Sequence, residues 1–237
     1  MGAASILAAV PADPRGGWAL AYRSPVRVAG LTRFPVKSMG GQALDAAAVD
    51  PDGLAGDRRW SLVDAVTGAV LTGRCDPGLL FAAAAVGDDG SLRVTLPDGS
   101  VAGDDGSLSA WVGRPVRLVR APDGSPAHDT AGFRVSLVGR PEIAGWAECR
   151  FRTNVLLDGD PDVPLRGTVG LGPVVLRVRE PIGRCVMVTR PQPGGVERDP
   201  TVLRRIHRER GGVLAVGATV LRSGTVRVGD EVRALAD

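Results

Sequence analysis

Asp88-Asp89-Gly90-Ser91-Leu92-Arg93-Val94-Thr95-Leu96-Pro97-Asp98-Gly99 carries the pattern on which the fold of this chain turns. Five residues, Leu92 to Leu96, have strand composition and sit between two turn signals, Asp88-Asp89-Gly90 and Pro97-Asp98-Gly99. Glycine and aspartate supply the turn conformations and proline ends the run, so the unit predicts a short strand between tight turns. The same unit recurs along the chain. Val26 to Leu31, Trp60 to Val63, Val116 to Val119, Asn154 to Leu157, Val174 to Val178, Val186 to Thr189 and Thr225 to Leu235 all read as strands. The chain's 33 glycines and 18 prolines punctuate them. Helix candidates are few: Ser107 to Gly113, and Pro200 to Arg210 with proline at its start and Gly211 after its end. Many short strands without a βαβ rhythm predict a mainly β fold with a few short helices, of barrel or sandwich type.

The bulk numbers narrow the function classes. At 237 residues the chain can bury a substantial core, as one large domain or two small ones. Its 29 basic and 26 acidic residues leave a formal charge of only +3, so no nucleic-acid partner is expected. Lys37 is the single lysine among many arginines. Three cysteines, Cys75, Cys149 and Cys185, are too few for a disulfide framework and fit a reducing compartment. No apolar stretch approaches membrane-span length, and the first residues lack the pattern of a secretory signal. The expectation is a cytoplasmic protein with no membrane partner and a flexible tail over 1–25. Ala121-Pro122-Asp123-Gly124-Ser125-Pro126 is the best internal boundary, giving an N-terminal β domain over 26–120 and a second domain over 121–237.

Four motifs carry chemistry. Phe34-Pro35-Val36-Lys37-Ser38-Met39-Gly40-Gly41 places a cation and a hydroxyl in a loop flanked by glycine. Gly53 to Trp60, GLAGDRRW, sets Arg58 and Arg59 at the start of a strand. In Arg150-Phe151-Arg152-Thr153-Asn154, strand alternation would send Arg150, Arg152 and Asn154 to one face. Arg184-Cys185-Val186-Met187-Val188-Thr189 sets a cysteine beside an arginine. Each has an ordinary reading: surface ion pairs, a solvated strand face, a loop charge, a cysteine packed as a small hydrophobe. Together they are the residue types that bind a phosphate and a polar heterocycle next to a thiolate, since guanidinium forks suit phosphate and a neighbouring cation favours the thiolate. Cys75 and Cys149 read as core packing, and His207 as a surface residue of the second helix.

In this order the motifs resemble the MOSC proteins, named for the C-terminal domain of molybdenum cofactor sulfurase. The nearer likeness is to members that carry an N-terminal MOSC β-barrel, such as the mitochondrial amidoxime-reducing components and their bacterial relatives. FPVKS with its glycines, GLAGDRRWSLVD and the following Val70-Leu71-Thr72-Gly73-Arg74 resemble the N-terminal domain. His128-Asp129-Thr130, Val135-Ser136-Leu137, RFRTN, RCVMVT and Val226 to Val232 resemble the MOSC domain. The likeness runs from about Val26 onward. Thr153 stands where the family usually has proline. The stretch after Asp158 lacks the family's acidic residue and tryptophan, and Val138 to Cys149 is short, losing a helix.

The resemblance implies an N-terminal MOSC β-barrel packed on a C-terminal one, with molybdenum cofactor (Mo-molybdopterin) between them. It implies Cys185 as the molybdenum ligand and catalytic residue. Lys37, Ser38 and Arg58 from one domain, and Thr130, Arg152 and Asn154 from the other, would hold pterin and phosphate, with Arg184 steadying the thiolate. The implied activity is reduction of small N-hydroxylated or N-oxide substrates by oxygen-atom transfer. The chain has no four-cysteine ferredoxin pattern and no Rossmann fingerprint. Electrons would come from a separate donor of ferredoxin, flavodoxin or cytochrome type. Two other functions are compatible with the same residues: a sulfur carrier bearing persulfide on Cys185, and a cofactor-binding protein without turnover.

Overall fold

A computed structural model describes residues 25–121, 132–159 and 165–236. The strands in chain order are β1 (Arg27–Arg33), β2 (Gln42–Leu44), β3 (Ala46–Asp50), β4 (Gly53–Leu54), β5 (Trp60–Asp64), β6 (Ala83–Val86), β7 (Leu92–Thr95), β8 (Val116–Arg120), β9 (Val135–Gly139), β10 (Val155–Asp158), β11 (Thr168–Leu171), β12 (Val174–Gly183), β13 (Val213–Arg222), β14 (Gly224–Arg227) and β15 (Val232–Leu235). Two α-helices join them, α1 (Asp105–Val112) and α2 (Pro200–Arg210). The mainly β architecture is the one that the turn-bounded runs predict. No described helix is long and apolar enough to cross a membrane.

An eight-stranded curled sheet, in the order β15-β11-β12-β13-β9-β10-β1-β2, forms the larger body. Its pairs are antiparallel except β9 with β10, which run parallel. A three-stranded sheet, β14-β3-β4, lies beside it, and β5-β8 and β6-β7 form two-stranded ladders. The strands that open the chain therefore complete the sheet built by its second half. Leu31 of β1 pairs with Val155 on one side and Leu44 on the other.

The cores divide the same way. Val28, Leu31, Val49 and Leu54 bury against Leu137, Val155, Leu171, Leu176 and Val226, joining both halves of the chain. Val36, Met39, Leu62, Leu79, Val94, Leu108 and Val116 form a separate core within the first half. Beneath α2, Val202 and Ile206 pack with Ile143, Phe151, Val188 and Leu214.

Local chemistry sets the helix ends. In α1 the Asp104 carboxylate accepts the Ser107 amide and Ser107 returns a bond to the Asp104 backbone, a reciprocal cap. In α2, Asp199 caps the first turn, Pro200 opens it and Gly211 closes it in the left-handed conformation at φ 62°.

Three local expectations are corrected. Val186–Thr189 is a 3-10 turn and not a strand. The Val188 amide donates to the Cys185 carbonyl, and Val188 is buried in the α2 core, so packing there overrides strand propensity. Glu148–Phe151 is also a 3-10 turn, so Arg150, Arg152 and Asn154 do not alternate along one strand. The run from Thr225 breaks at Gly229, φ 92°, because β14 turns to pair with β3 while β15 pairs with β11.

Candidate functional site

β12 ends at Gly183 and delivers the chain into a cleft of about 410 Å³ where the two halves meet. The Arg184 amide donates to the Gly212 carbonyl at 2.9 Å, and Cys185 then caps the turn Val186–Thr189. This places the Cys185 thiol in the cleft wall, partly exposed. Lys37, Ser38, Arg58 and Arg74 line the cleft from the first half of the chain. Arg150, Phe151, Arg152, Glu180, Arg184 and Met187 line it from the second, beside Cys185.

Backbone conformation marks three of these residues. Ser38, Arg58 and Arg152 stand at φ 69°, 48° and 49°, in the left-handed region that side chains normally avoid. Such conformations cost free energy and persist only where surrounding contacts over-determine them. Here those contacts are visible. Ser38 Oγ accepts the Gly73 amide at 2.9 Å, tying the Lys37 loop to the Arg74 loop. Arg58 forms an ion pair with buried Asp57, whose other oxygen accepts the Phe34 amide at 2.7 Å. Arg58 Nη2 donates to the Arg152 carbonyl at 3.2 Å, and Arg152 Nη1 donates to the Met39 carbonyl at 2.5 Å. Both guanidiniums lie over the Phe34 ring, at 5.2 and 4.4 Å from its centre.

Arg150 works from below. It donates to the carbonyls of Val188, Arg190 and Glu197, fastening the Cys185 turn to the segment that precedes α2. Arg184 donates from Nε to the Leu214 carbonyl and from Nη1 to the Phe151 carbonyl. Its Nη2 is sealed from solvent and has no partner. Burial pulls the Arg184 pKa down to about 10, with the neighbouring Cys185 acting against the shift.

Among the described residues six cations line the cleft against one acid, Glu180. A recess with this imbalance attracts an anion. Among the described residues no three His, Cys, Asp or Glu side chains are grouped so as to hold a metal ion. A metal beside Cys185 would have to bring most of its ligands with it. The thiolate is the ligand type that a soft or high-valent metal carrying sulfur ligands of its own accepts.

The structure brings Lys37, Ser38, Arg58, Arg152, Arg184 and Cys185 together at the cleft. Asn154 does not line it. At 1% exposure, Asn154 lies beneath the floor, where Oδ1 accepts from the Ser136 amide and hydroxyl and from Arg58, and Nδ2 donates to the Thr32 carbonyl. Thr130, with His128 and Asp129, lies outside the described residues. Cys75 and Cys149 are exposed, not packed in the core, and desolvation raises the Cys149 thiol pKa. The sequence does not single out Arg74, Ser136, Glu180 or Met187 as site residues, although Arg74, Ser136 and Met187 stand inside its motifs. Glu180 carries no local signal; only the course of β12 takes it to the cleft.

Two family models match the chain in order: the MOSC N-terminal beta barrel domain over residues 25–127 and the MOSC domain over residues 136–233. Among solved structures, the YUAD protein from Bacillus subtilis is similar at 15% identity and a TM-score of 0.49, over 88% of this chain and 94% of that one. A second crystal structure, titled only as a hypothetical protein, is similar at 10% identity and a TM-score of 0.46, over 90% of this chain and 67% of that one. No curated protein matches the chain.

Proposed function

The chain belongs to the MOSC proteins, with an N-terminal MOSC β-barrel domain ahead of its MOSC domain, and from that premise we propose that it is a molybdenum-cofactor oxidoreductase acting on N-hydroxylated or N-oxide substrates. The observation that carries this reading is the placement of Cys185 in a cleft that six cations of the described residues also line. A persulfide carrier has no need of such a cradle. An anionic cofactor with a metal that accepts a thiolate needs both parts.

Cys185 would be the protein's ligand to molybdenum. Lys37, Ser38, Arg58, Arg74, Arg152 and Arg184 would hold the phosphate and the polar edge of the pterin. When bound, the cofactor supplies the two-electron couple that removes oxygen from the substrate; the fold supplies placement and charge. Arg150 ties the Cys185 turn, through the Val188 and Arg190 carbonyls, to the Glu197 carbonyl before α2, so the thiolate is presented from a fixed backbone. Phe151 and Met187 provide apolar wall beside Cys185. Electrons for turnover come from a separate protein.

Metal and pterin analysis of the purified protein tests this. Stoichiometric molybdenum and pterin, both lost in Cys185→Ser, together with turnover of an amidoxime by a chemical reductant, are the expected results. Metal-free protein carrying labile sulfur on Cys185 would replace this reading with sulfur transfer. Bound cofactor without turnover would leave a cofactor-binding protein.

A further inference from the structure

We infer that the outer face of α2 is the docking surface for an acidic, single-domain electron-carrier protein. The inference rests on the redox reading of Cys185 given above. Four arginines and one glutamate give Pro200–Arg210 a formal charge of +3, the value carried by the entire chain. Val202 and Ile206 bury the inner face, Arg204, His207 and Arg208 are exposed on the outer one, and Arg205 and Arg210 are exposed at its flanks. Glu209 pairs with Arg205 and Arg208, and Glu142 with Arg210, so against these two acids the four arginines keep an excess of two positive charges. Arg204 and Arg208 lie four residues apart on one face, so the surface presents concentrated positive charge. Such charge steers and orients an acidic partner.

The position of the helix singles out a redox partner. Both ends of α2 are tied to the Cys185 segment. Before α2, the Asp199 amide donates to the Thr189 carbonyl; after it, the Gly212 carbonyl accepts the Arg184 amide, both at 2.9 Å. Val202 and Ile206 of the inner face pack with Val188 of the turn in one core, so the outer face lies about one helix diameter, roughly 10 Å, from that turn. Two aromatic rings bridge that distance. Arg205 lies over Trp146 at 5.0 Å, Trp146 meets Phe151 at 5.7 Å between ring centres, and Phe151 lines the cleft.

The experiment measures binding of oxidised flavodoxin to the holoprotein by calorimetry. Turnover is followed in parallel with reduced flavodoxin and with the small donor methyl viologen radical. The expected result is flavodoxin binding that weakens about tenfold or more as salt shortens the screening length. Arg204→Glu/Arg208→Glu should weaken it by about tenfold or more and raise the flavodoxin KM, leaving viologen-driven turnover and the melting temperature unchanged. The charge-matched control Arg93→Glu/Arg117→Glu, on exposed positions of β7 and β8, should bind like wild type. Equal binding by wild type and the α2 variant, equal weakening by the control, or tighter binding of a DNA duplex or anionic vesicles would overturn the inference. Because binding is read without turnover, an inactive holoprotein whose flavodoxin binding still depends on Arg204 and Arg208 would overturn the proposed function alone. Active protein indifferent to the α2 variant would overturn the docking surface alone.

Discussion

The guanidinium of Arg152 sits 4.4 Å from the centre of the Phe34 ring, joining the two halves of the chain across the base of the cleft. Arg58 lies over the same ring at 5.2 Å, so one buried aromatic side chain holds two of the cleft's cations in place. An aromatic face attracts a desolvated cation by about 2 kcal/mol, and a leucine there offers none of this. Phe34→Leu is therefore expected to lower stability by about 2–3 kcal/mol, combining lost cation–π attraction with imperfect packing. It should also weaken retention of the cofactor. Thermal unfolding and metal content of the variant check both parts.

Arg152 adopts φ 49° and presents its side chain to the cleft from that conformation. A residue with a Cβ loses about 1–2 kcal/mol in the left-handed region, and glycine does not. Arg152→Gly should accordingly be more stable than Arg152→Ala by about 1 kcal/mol, with both equally deficient in anion binding. Equal stability of the two variants in urea titrations would mean that the conformation is held without strain.

Asn154 satisfies partners from three segments and is nearly inaccessible. Asn154→Ala would orphan the Ser136 amide and the Thr32 carbonyl in the interior. Unsatisfied buried groups cost about 1–3 kcal/mol each, so a loss of about 2–4 kcal/mol is expected, measurable as a lower denaturation midpoint at unchanged m-value. The site should suffer only through loosening of Arg58, which Asn154 also contacts.

How far these features are legible in the chain depends on whether their causes are local. The α2 boundaries can be read from Pro200 and Gly211, because capping acts within one turn. The Cys185 turn misleads, since Val186 to Thr189 has strand composition and only the α2 core makes it a turn. That Leu31 joins the later half of the chain is a non-local pairing with no sequence mark of its own. The left-handed backbones of Arg58 and Arg152 are likewise imposed by tertiary contacts, as arginine has no preference for that region. Most of the cation cradle was legible because its residues cluster in short motifs, each placed at a strand end. Glu180 was not, because it arrives within a long strand.

Gly41 lies where Phe34 and Thr32 close over the start of β2. A Cβ there would meet the Arg33 carbonyl oxygen, Phe34 Cδ1 and Thr32 Cγ2, all at 2.7 Å. The carbonyl is backbone and cannot step aside, so Gly41→Ala must move β1 against β2 or displace Phe34. A destabilisation of about 2–3 kcal/mol is expected, of the size seen for overpacked cores. At Gly73 the added carbon meets Met187 Cε at 2.8 Å, the far end of a flexible side chain. Gly73→Ala should consequently be nearly neutral in stability but shift Met187 within the cleft. A change in KM for substrate without a change in melting temperature is the outcome that checks it.

The depressed pKa of Arg184 fixes the sign of a pH effect. Its folded value is about 10, below the ordinary guanidinium value, because burial penalises the charged form. The unfolded chain therefore binds more protons between those values, and the stability of the ligand-free protein gains from this group as pH rises through that window. The gain is complete above the ordinary value and is lost as pH falls back through about 10. Anion binding runs the opposite way, since only the protonated guanidinium attracts an anion. The thermal upshift produced by inorganic phosphate should decline as pH passes about 10, with phosphate itself a dianion throughout. Lys37 and Cys185 line the same cleft, so the decline is measured against Arg184→Gln, which retains both. A steeper loss in wild type than in the variant assigns the dependence to Arg184; parallel profiles would remove it from the anion site.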